Sequence, residues 1–406
     1  MRRLLHWIAL VTLLLALEEI LFRAVFPIPE VANFNRVNYT TVSVQSPGPS
    51  FLSNRAPAMN ATFQWKSRPD GAGFEHHLNL YGFRDRTWGV RPRRGTDRVM
   101  FVGDSFVEGF MASDRETIPH GYANAADQKK EEVEAMNCGL GGMGIDHYLC
   151  LVRDAAPLFR PHRIVVVIYA NDLPYSSTVP DNIGPVLKPV HTRAWLPRGP
   201  LVVWRAVRHE VVPRRWHGKA TLFVPVVPDP LNPWSHAPPA FSRIDPGIAD
   251  AMRKGELNPF VVDLVNSSEI ALRQPTDPSN ALRRFQVMAQ GVSAELRIVY
   301  LPFSTQVSDY YVPFLEKYAL HPVNHSLTGP EYQIHAASIA RSCHDLGIPF
   351  LDLTPLLKEA EAGGEHLYWN YDDHMRGFAY LRVGATIYEW IHSGDDNQVK
   401  RLRSLN

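Results

Sequence analysis

The residue with the clearest chemical potential is Ser105. The run Val99–Gly109 reads V-M-F-V-G-D-S-F-V-E-G, a strand-like stretch that passes straight into Gly103-Asp104-Ser105. A serine where a strand gives way to a helix exposes its hydroxyl at the carboxyl edge of a sheet, where open α/β sheets bind ligands. Its backbone N–H also lies at a helix start, where positive partial charge can stabilise an oxyanion. Taken alone, the three residues are an ordinary helix cap. A serine hydroxyl needs a general base to lose its proton, and neutral imidazole suits that task near pH 7. Near the C-terminus, Tyr371-Asp372-Asp373-His374 offers an imidazole beside carboxylates that could orient it. Two further segments could supply oxyanion donors. Asn137–Gly144 reads N-C-G-L-G-G-M-G, where glycines let backbone N–H groups approach a substrate closely. Asn171-Asp172 follows the apolar run Ile164–Ala170; by itself such a pair is a turn. Each motif is ordinary alone, but four occur in order, mostly at successive strand ends.

From Arg98 onward, short β-branched runs alternate with longer amphipathic segments, the pattern of βαβ units and a parallel sheet. Strands are expected at Arg98–Val102, Val133–Asn137, Ile164–Tyr169, Leu296–Leu301 and Pro349–Leu351. Helices are expected near Ile118–Lys129, Asp146–Leu158, Ser279–Glu295 and Glu331–Leu346, with a further apolar-periodic stretch at Phe378–Ile391. Right-handed crossovers would build a doubly wound layer with helices on both faces. The composition agrees: 406 residues, 45% hydrophobic and 20% charged, allow one large packed domain with insertions. A net charge of +1 gives no positive excess for a polyphosphate, so nucleic acid is not the expected partner. Cys138, Cys150 and Cys343, with no CxxC spacing, argue against a zinc site and a disulfide scaffold, though one pair could still form.

Two regions stand apart. Arg2 and Arg3 precede an apolar run from Leu4 to Leu17, interrupted only by His6 and Thr12, before Glu18 and Glu19. That is shorter than the roughly 20 residues that span a bilayer, but continuing through Ile20–Phe22 reaches that length if the glutamates sit at the far interface. The basic residues favour a cytoplasmic N-terminus and an exported remainder. A cleaved signal peptide and a buried amphipathic helix are the alternatives; without an A-x-A-like site, an uncleaved anchor is preferred. The second region, from Leu173 to about Pro275, is rich in proline and carries widely spaced tryptophans. So long a connection reads as a lid or substrate platform beside the site, or equally as an irregular cap over the sheet. Trp195, Trp204, Trp216 and Trp234, among Arg193, Arg205, Arg214 and Arg215, could stack on sugar rings, though core packing explains tryptophan more often. Adjacent His76 and His77 point apart in an extended segment and do not suggest a metal site.

Taken together, the four motifs resemble the SGNH (GDSL-type) hydrolase superfamily, whose blocks contribute Ser, Gly, Asn and His in that order. The match runs from about Asn79 to Ile391, the insertion excepted. Asn79–Asp85, N-L-Y-G-F-R-D, is also similar to a stretch upstream of the serine in membrane-anchored bacterial members. The resemblance implies a three-layer α/β/α, flavodoxin-like fold with a large insertion and an N-terminal membrane helix. On this reading residues 1–26 are a signal anchor or transmembrane segment and 27–95 a stalk with a β-rich lead-in. Residues 96–395 are the hydrolase domain with its insertion at 173–275, and 396–406 a tail. Carried over by motif, Ser105 is the nucleophile, His374 the base, and Gly142 and Asn171 the oxyanion donors beside the Ser105 N–H. Two departures stand out: Tyr169 occupies the glycine place of the third block, and Tyr371 the acid place of D-x-x-H. Asp372 fits the D-x-H variant of alginate-acetyltransferase-like members and is preferred to Asp373, whose side chain would point elsewhere on an extended segment. The implied activity is ester hydrolysis or O-acyl transfer through an acyl-enzyme, with no metal or organic cofactor. It would act on O-acetyl groups of an extracytoplasmic polysaccharide or another ester, with a membrane acyl-transfer protein among the implied partners. An inactive carbohydrate-binding or assembly protein on the same fold is the alternative.

Overall fold

The computed structural model describes residues 2–25, 31–32, 62–66, 73–77, 79, 83–89, 91–141, 144–173, 188–189, 272–312, 325–369 and 372–392. Its centre is a five-stranded parallel sheet built from β4 (Asp97–Gly103), β5 (Val133–Gly139), β6 (Arg163–Tyr169), β8 (Glu295–Leu301) and β9 (Phe350–Asp352). The spatial order is β5-β4-β6-β8-β9, which is 2-1-3-4-5 when these strands alone are counted. That is the flavodoxin-like order, and its switch point lies between β4 and β6. All five strands coincide with expected ones to within two residues. Their residues are apolar on both faces, as a sheet covered on both sides requires: Val99–Val102 and Ile164–Ile168 are almost without solvent exposure.

Helices α3 (Ile118–Gln128), α4 (Ile145–Phe159), α5 (Ser279–Gly291) and α6 (Ile334–Leu346) make the crossovers, and α8 (Gly377–His392) follows the last strands. The chain leaves β4 for β5 on one side, then reverses toward β6, β8 and β9. Right-handed crossovers therefore place α3 on one face and α4, α5 and α6 on the other. α8 returns to pack along α3, and α4 packs on α5. The α3–α8 contact is backbone-close: a Cβ on Gly384 would lie 2.1 Å from the Ile118 carbonyl, and one on Gly121 2.2 Å from that of Leu381. Helix α5 ends four residues before the expected Glu295, because Ser293 takes a left-handed conformation and Glu295 already belongs to β8.

The segment before the sheet is bound into it. Trp88 stacks on Phe83 and meets Phe159 edge-to-face. Fully buried Arg98 pairs with Glu134 at 2.6 Å and donates to the carbonyls of Gly89, Arg91 and Phe159. Further upstream, β2 (Thr62–Lys66) and β3 (Gly73–His77) form an antiparallel hairpin, and β1 (Val31–Ala32) pairs with β7 (Lys188–Pro189). Apart from residues 173, 188–189 and 272–275, the insertion with its tryptophans and arginines lies outside the described residues.

At the N-terminus, α1 (Arg2–Val25) is one 24-residue helix whose Trp7, Ile8, Leu13, Leu14, Ile20 and Leu21 are exposed. The expected membrane-spanning segment is not met in that form: among the described residues no helix is long and apolar enough to cross a membrane. Glu18, Glu19 and Arg23 interrupt the run before it reaches spanning length. The three cysteines are buried as free thiols, so no pair forms among them.

Candidate active site

The site lies at the carboxyl edge of the sheet, at the switch point. β4 ends at Gly103, Asp104 caps the next helix by accepting the Phe106 N–H at 2.9 Å, and Ser105 opens the short helix α2 (Ser105–Glu108). Asp104 is thus the helix cap that the sequence allowed Ser105 to be, which leaves the serine hydroxyl for other work. That hydroxyl is half-buried and lies 2.7 Å from the Nε2 of His374. The two residues are 269 positions apart in the chain. At this separation the hydroxyl proton can pass to the imidazole in a single step.

His374 is carried by β11 (Asp372–Met375), which pairs with β10 (Tyr368–Trp369) as a hairpin. The hairpin is fixed at several points. Glu361, on α7 (Thr354–Ala362), accepts from the Tyr311 hydroxyl at 2.5 Å and the Leu367 N–H at 2.6 Å. The Tyr311 hydroxyl in turn accepts the Tyr368 N–H, and the Tyr368 hydroxyl donates to the Pro302 carbonyl. Trp369 donates to the Met111 carbonyl at 3.2 Å, tying the hairpin to the loop after α2. The imidazole itself stacks on Phe106 at 4.9 Å and meets Phe110 at 4.7 Å. Asp372 stands two residues before His374 on the same strand. Its side chain, and the whole of Gly142, lie outside the described residues.

Asn171 follows β6, as Ser105 follows the neighbouring β4, so both stand at the carboxyl ends of adjacent parallel strands whose register pairs Val102 with Val166. The residue after Asn171, Asp172, builds the turn there: its Oδ2 accepts the Tyr169 N–H at 2.8 Å, and both its oxygens accept from the Tyr148 hydroxyl. Tyr169, in the place where the resembling family has glycine, packs its ring against Phe106 at 3.9 Å and Phe303 at 4.9 Å. The Tyr169 side chain therefore fills the space beneath the helix that begins at Ser105.

The electrostatics are set by burial. Desolvation raises the Asp104 carboxyl to about 6, against the opposing pull of the Phe106 N–H and the nearby His374. Desolvation, reinforced by Asp104, pushes the Asp172 carboxyl well above the usual carboxylate range, against the opposing hydrogen bond from Tyr148. Among the described residues no group of acidic, histidine or cysteine side chains could hold a metal ion.

Sequence reasoning named no role for Arg84 or Glu108. Arg84 is buried against the loop after α2. Its Nε donates to Asp114 at 2.8 Å, its Nη2 to the Ala112 carbonyl at 2.6 Å, and its Nη1 to the carbonyls of Glu108 and Gly109. Glu108 accepts the Gly141 N–H at 2.9 Å across the gap from α2 to the glycine-rich turn. The signal was present in both cases: an arginine inside N-L-Y-G-F-R-D, and an acid in the otherwise apolar helix S-F-V-E.

No protein-family model and no curated protein matches the chain. Solved structures to which it is similar include the psychrotrophic esterase EstA from Pseudoalteromonas sp., at 10% identity and a TM-score of 0.35 over 73% of this chain and 97% of that one. The acetyl xylan esterase AlAXEase is similar at 10% identity and 0.37, over 72% and 99%. The acetylxylan esterase Axe2 from Geobacillus stearothermophilus, as a catalytic mutant, is similar at 9% and 0.36, over 72% and 93%. Likeness at this level says nothing about what this chain acts on.

Proposed function

We propose that the protein is a serine-dependent ester hydrolase or O-acyltransferase that works through an acyl-enzyme. The observation that carries this reading is the Ser105 hydroxyl 2.7 Å from His374 Nε2 at the switch point of a doubly wound sheet. His374 takes the hydroxyl proton as the Ser105 oxygen attacks the ester carbonyl, with Asp372 steadying the imidazolium. The carbonyl oxygen becomes an oxyanion held by the Ser105 N–H, Gly142 and Asn171. Collapse expels the alcohol, which leaves with the proton from His374. Water or another hydroxyl, deprotonated by the same imidazole, then attacks the acyl-serine and regenerates the free enzyme.

The substrate class in this proposal is an O-acetylated polysaccharide outside the cytoplasm. The chain is exported and attached at a membrane surface by α1, whose exposed apolar side chains, with Arg2 and Arg3 in its first turn, suit that place. Turnover of an activated acetate ester by wild type and by Ser105→Ala tests the chemistry; equal rates would leave the inactive binding-protein reading standing. Acetate release against transfer to an added glycan divides hydrolase from transferase. Membrane fractionation with and without residues 1–26 tests the attachment, and an unchanged distribution would remove it.

A further inference from the structure

We infer that Glu108 is a positioning residue for acyl transfer: it fixes Gly141, and with it the turn after β5, against the helix that carries Ser105. The inference rests on the esterase or acyltransferase reading and adds a residue to it. Glu108 is the last residue of α2, and it is 1% exposed although its helix-mates in the core are Phe106 and Val107. A buried acid needs a reason, because leaving water costs it several kcal/mol unless polar partners compensate.

The compensation runs to the turn. The Glu108 Oε2 accepts the Gly141 N–H at 2.9 Å. Its backbone is held independently: the carbonyl accepts from Asn137 Nδ2 and from Arg84 Nη1, each at 3.3 Å. Asn137 also accepts the Gly139 N–H at 3.0 Å, so the side chain that links β5 to α2 also braces the end of β5. Contact between the two is backbone-close, since a Cβ on Gly139 would lie 2.1 Å from the Glu108 nitrogen. No side chain longer than hydrogen fits there, and the turn's placement relative to Ser105 rests on these hydrogen bonds together with the one from the Leu140 N–H to the Gly103 carbonyl at 3.0 Å.

The charge state suits the task. Burial holds the Glu108 carboxyl well above its usual range, which favours the protonated form. A neutral carboxyl can orient an amide without setting a full negative charge beside a developing oxyanion. Glutamine at this position would reproduce the acceptor and the neutrality, whereas leucine would fill the space and accept nothing.

The experiment combines hydrogen exchange with kinetics on the full chain. In wild type, the peptide covering Gly139–Gly141 should show slowed amide exchange; Glu108→Leu should lose that protection and Glu108→Gln should recover it. With an activated acetate ester, Glu108→Leu should lower kcat about 10–100-fold, less than or comparable to deleting an oxyanion donor outright, with KM within about twofold. Glu108→Gln should restore most of that loss. Unprotected exchange in wild type overturns the inference whether or not the variants fold. So does a Leu variant that keeps its kcat, or one that loses rate through KM alone. Absence of Ser105-dependent turnover in wild type overturns the parent reading instead, and the exchange data then still decide whether Glu108 holds the turn.

Discussion

Replacing Arg84 with methionine removes a guanidinium while keeping most of the apolar stem, so it isolates the polar contacts. Those contacts are the Asp114 carboxylate and the carbonyls of Glu108, Gly109 and Ala112. Not all are lost equally. The Glu108 carbonyl keeps the Asn137 side chain, and the Gly109 carbonyl keeps the Ala112 N–H. The main losses are therefore the Ala112 carbonyl's donor and the partner of Asp114, which is only 28% exposed. A hydrogen bond to a charged group is worth about 1.5–3 kcal/mol, and one carbonyl left dry about 1–3. Relief from desolvating the guanidinium, which lowers the Arg84 pKa, returns part of this. The expected net loss is about 3 kcal/mol, a large share of the roughly 5–15 kcal/mol that holds a domain together. For a domain of about 300 residues that is a fall of about 5 °C in Tm, read by calorimetry or circular dichroism. Arg84→Lys should recover less than half of the loss, because an ammonium cannot reproduce the planar fork. A Tm within about 2 °C of wild type for Arg84→Met would show that these carbonyls find water or other donors, and the clamp would be refuted.

Asp104→Asn keeps the helix cap, since asparagine accepts the Phe106 N–H equally well. It removes a carboxylate that favours the imidazolium of His374, so the acid limb of kcat/KM should move to lower pH; a move upward would contradict this reading. The carboxyl binds its proton more tightly folded, at about 6 against 3.8, so its contribution to stability falls as pH rises through that window. Urea titrations should show Asp104→Asn gaining on wild type between pH 4 and 6, and the gain should persist above. Glu361→Leu strips the acceptor from Tyr311 and Leu367 and should lower kcat by loosening the His374 hairpin, with a stability loss of about 2–4 kcal/mol in urea; unchanged kcat would separate the hairpin from the site. Gly384→Val places a Cβ 2.1 Å from the Ile118 carbonyl and should cost about 3 kcal/mol or more, or prevent folding, measured by denaturation; near-wild-type stability would mean that α3 and α8 can part.

The sheet was legible in the sequence because each strand is a short apolar run bounded by turn residues, and local pattern fixes such elements. The same holds for the order Ser105, Asn171, His374 at successive chain positions. Helix ends were less legible: α5 stops where Ser293 turns left-handed, a conformation that residue type does not announce. The length of α1 was visible, but its spanning capacity was overread, because Glu18, Glu19 and Arg23 cut the apolar run short.

What the linear order determined is the strands of the sheet and which candidate groups, Ser105 and Asn171 among them, stand just past strand ends, since both depend on neighbours within a few residues. Tertiary structure alone decided that His374 reaches Ser105 across 269 positions, that Arg84 grips the loop after α2, and that Glu108 holds Gly141. Those contacts exist because the crossovers bring distant backbone ends to one sheet edge, and buried polar atoms there must find partners among whatever arrives.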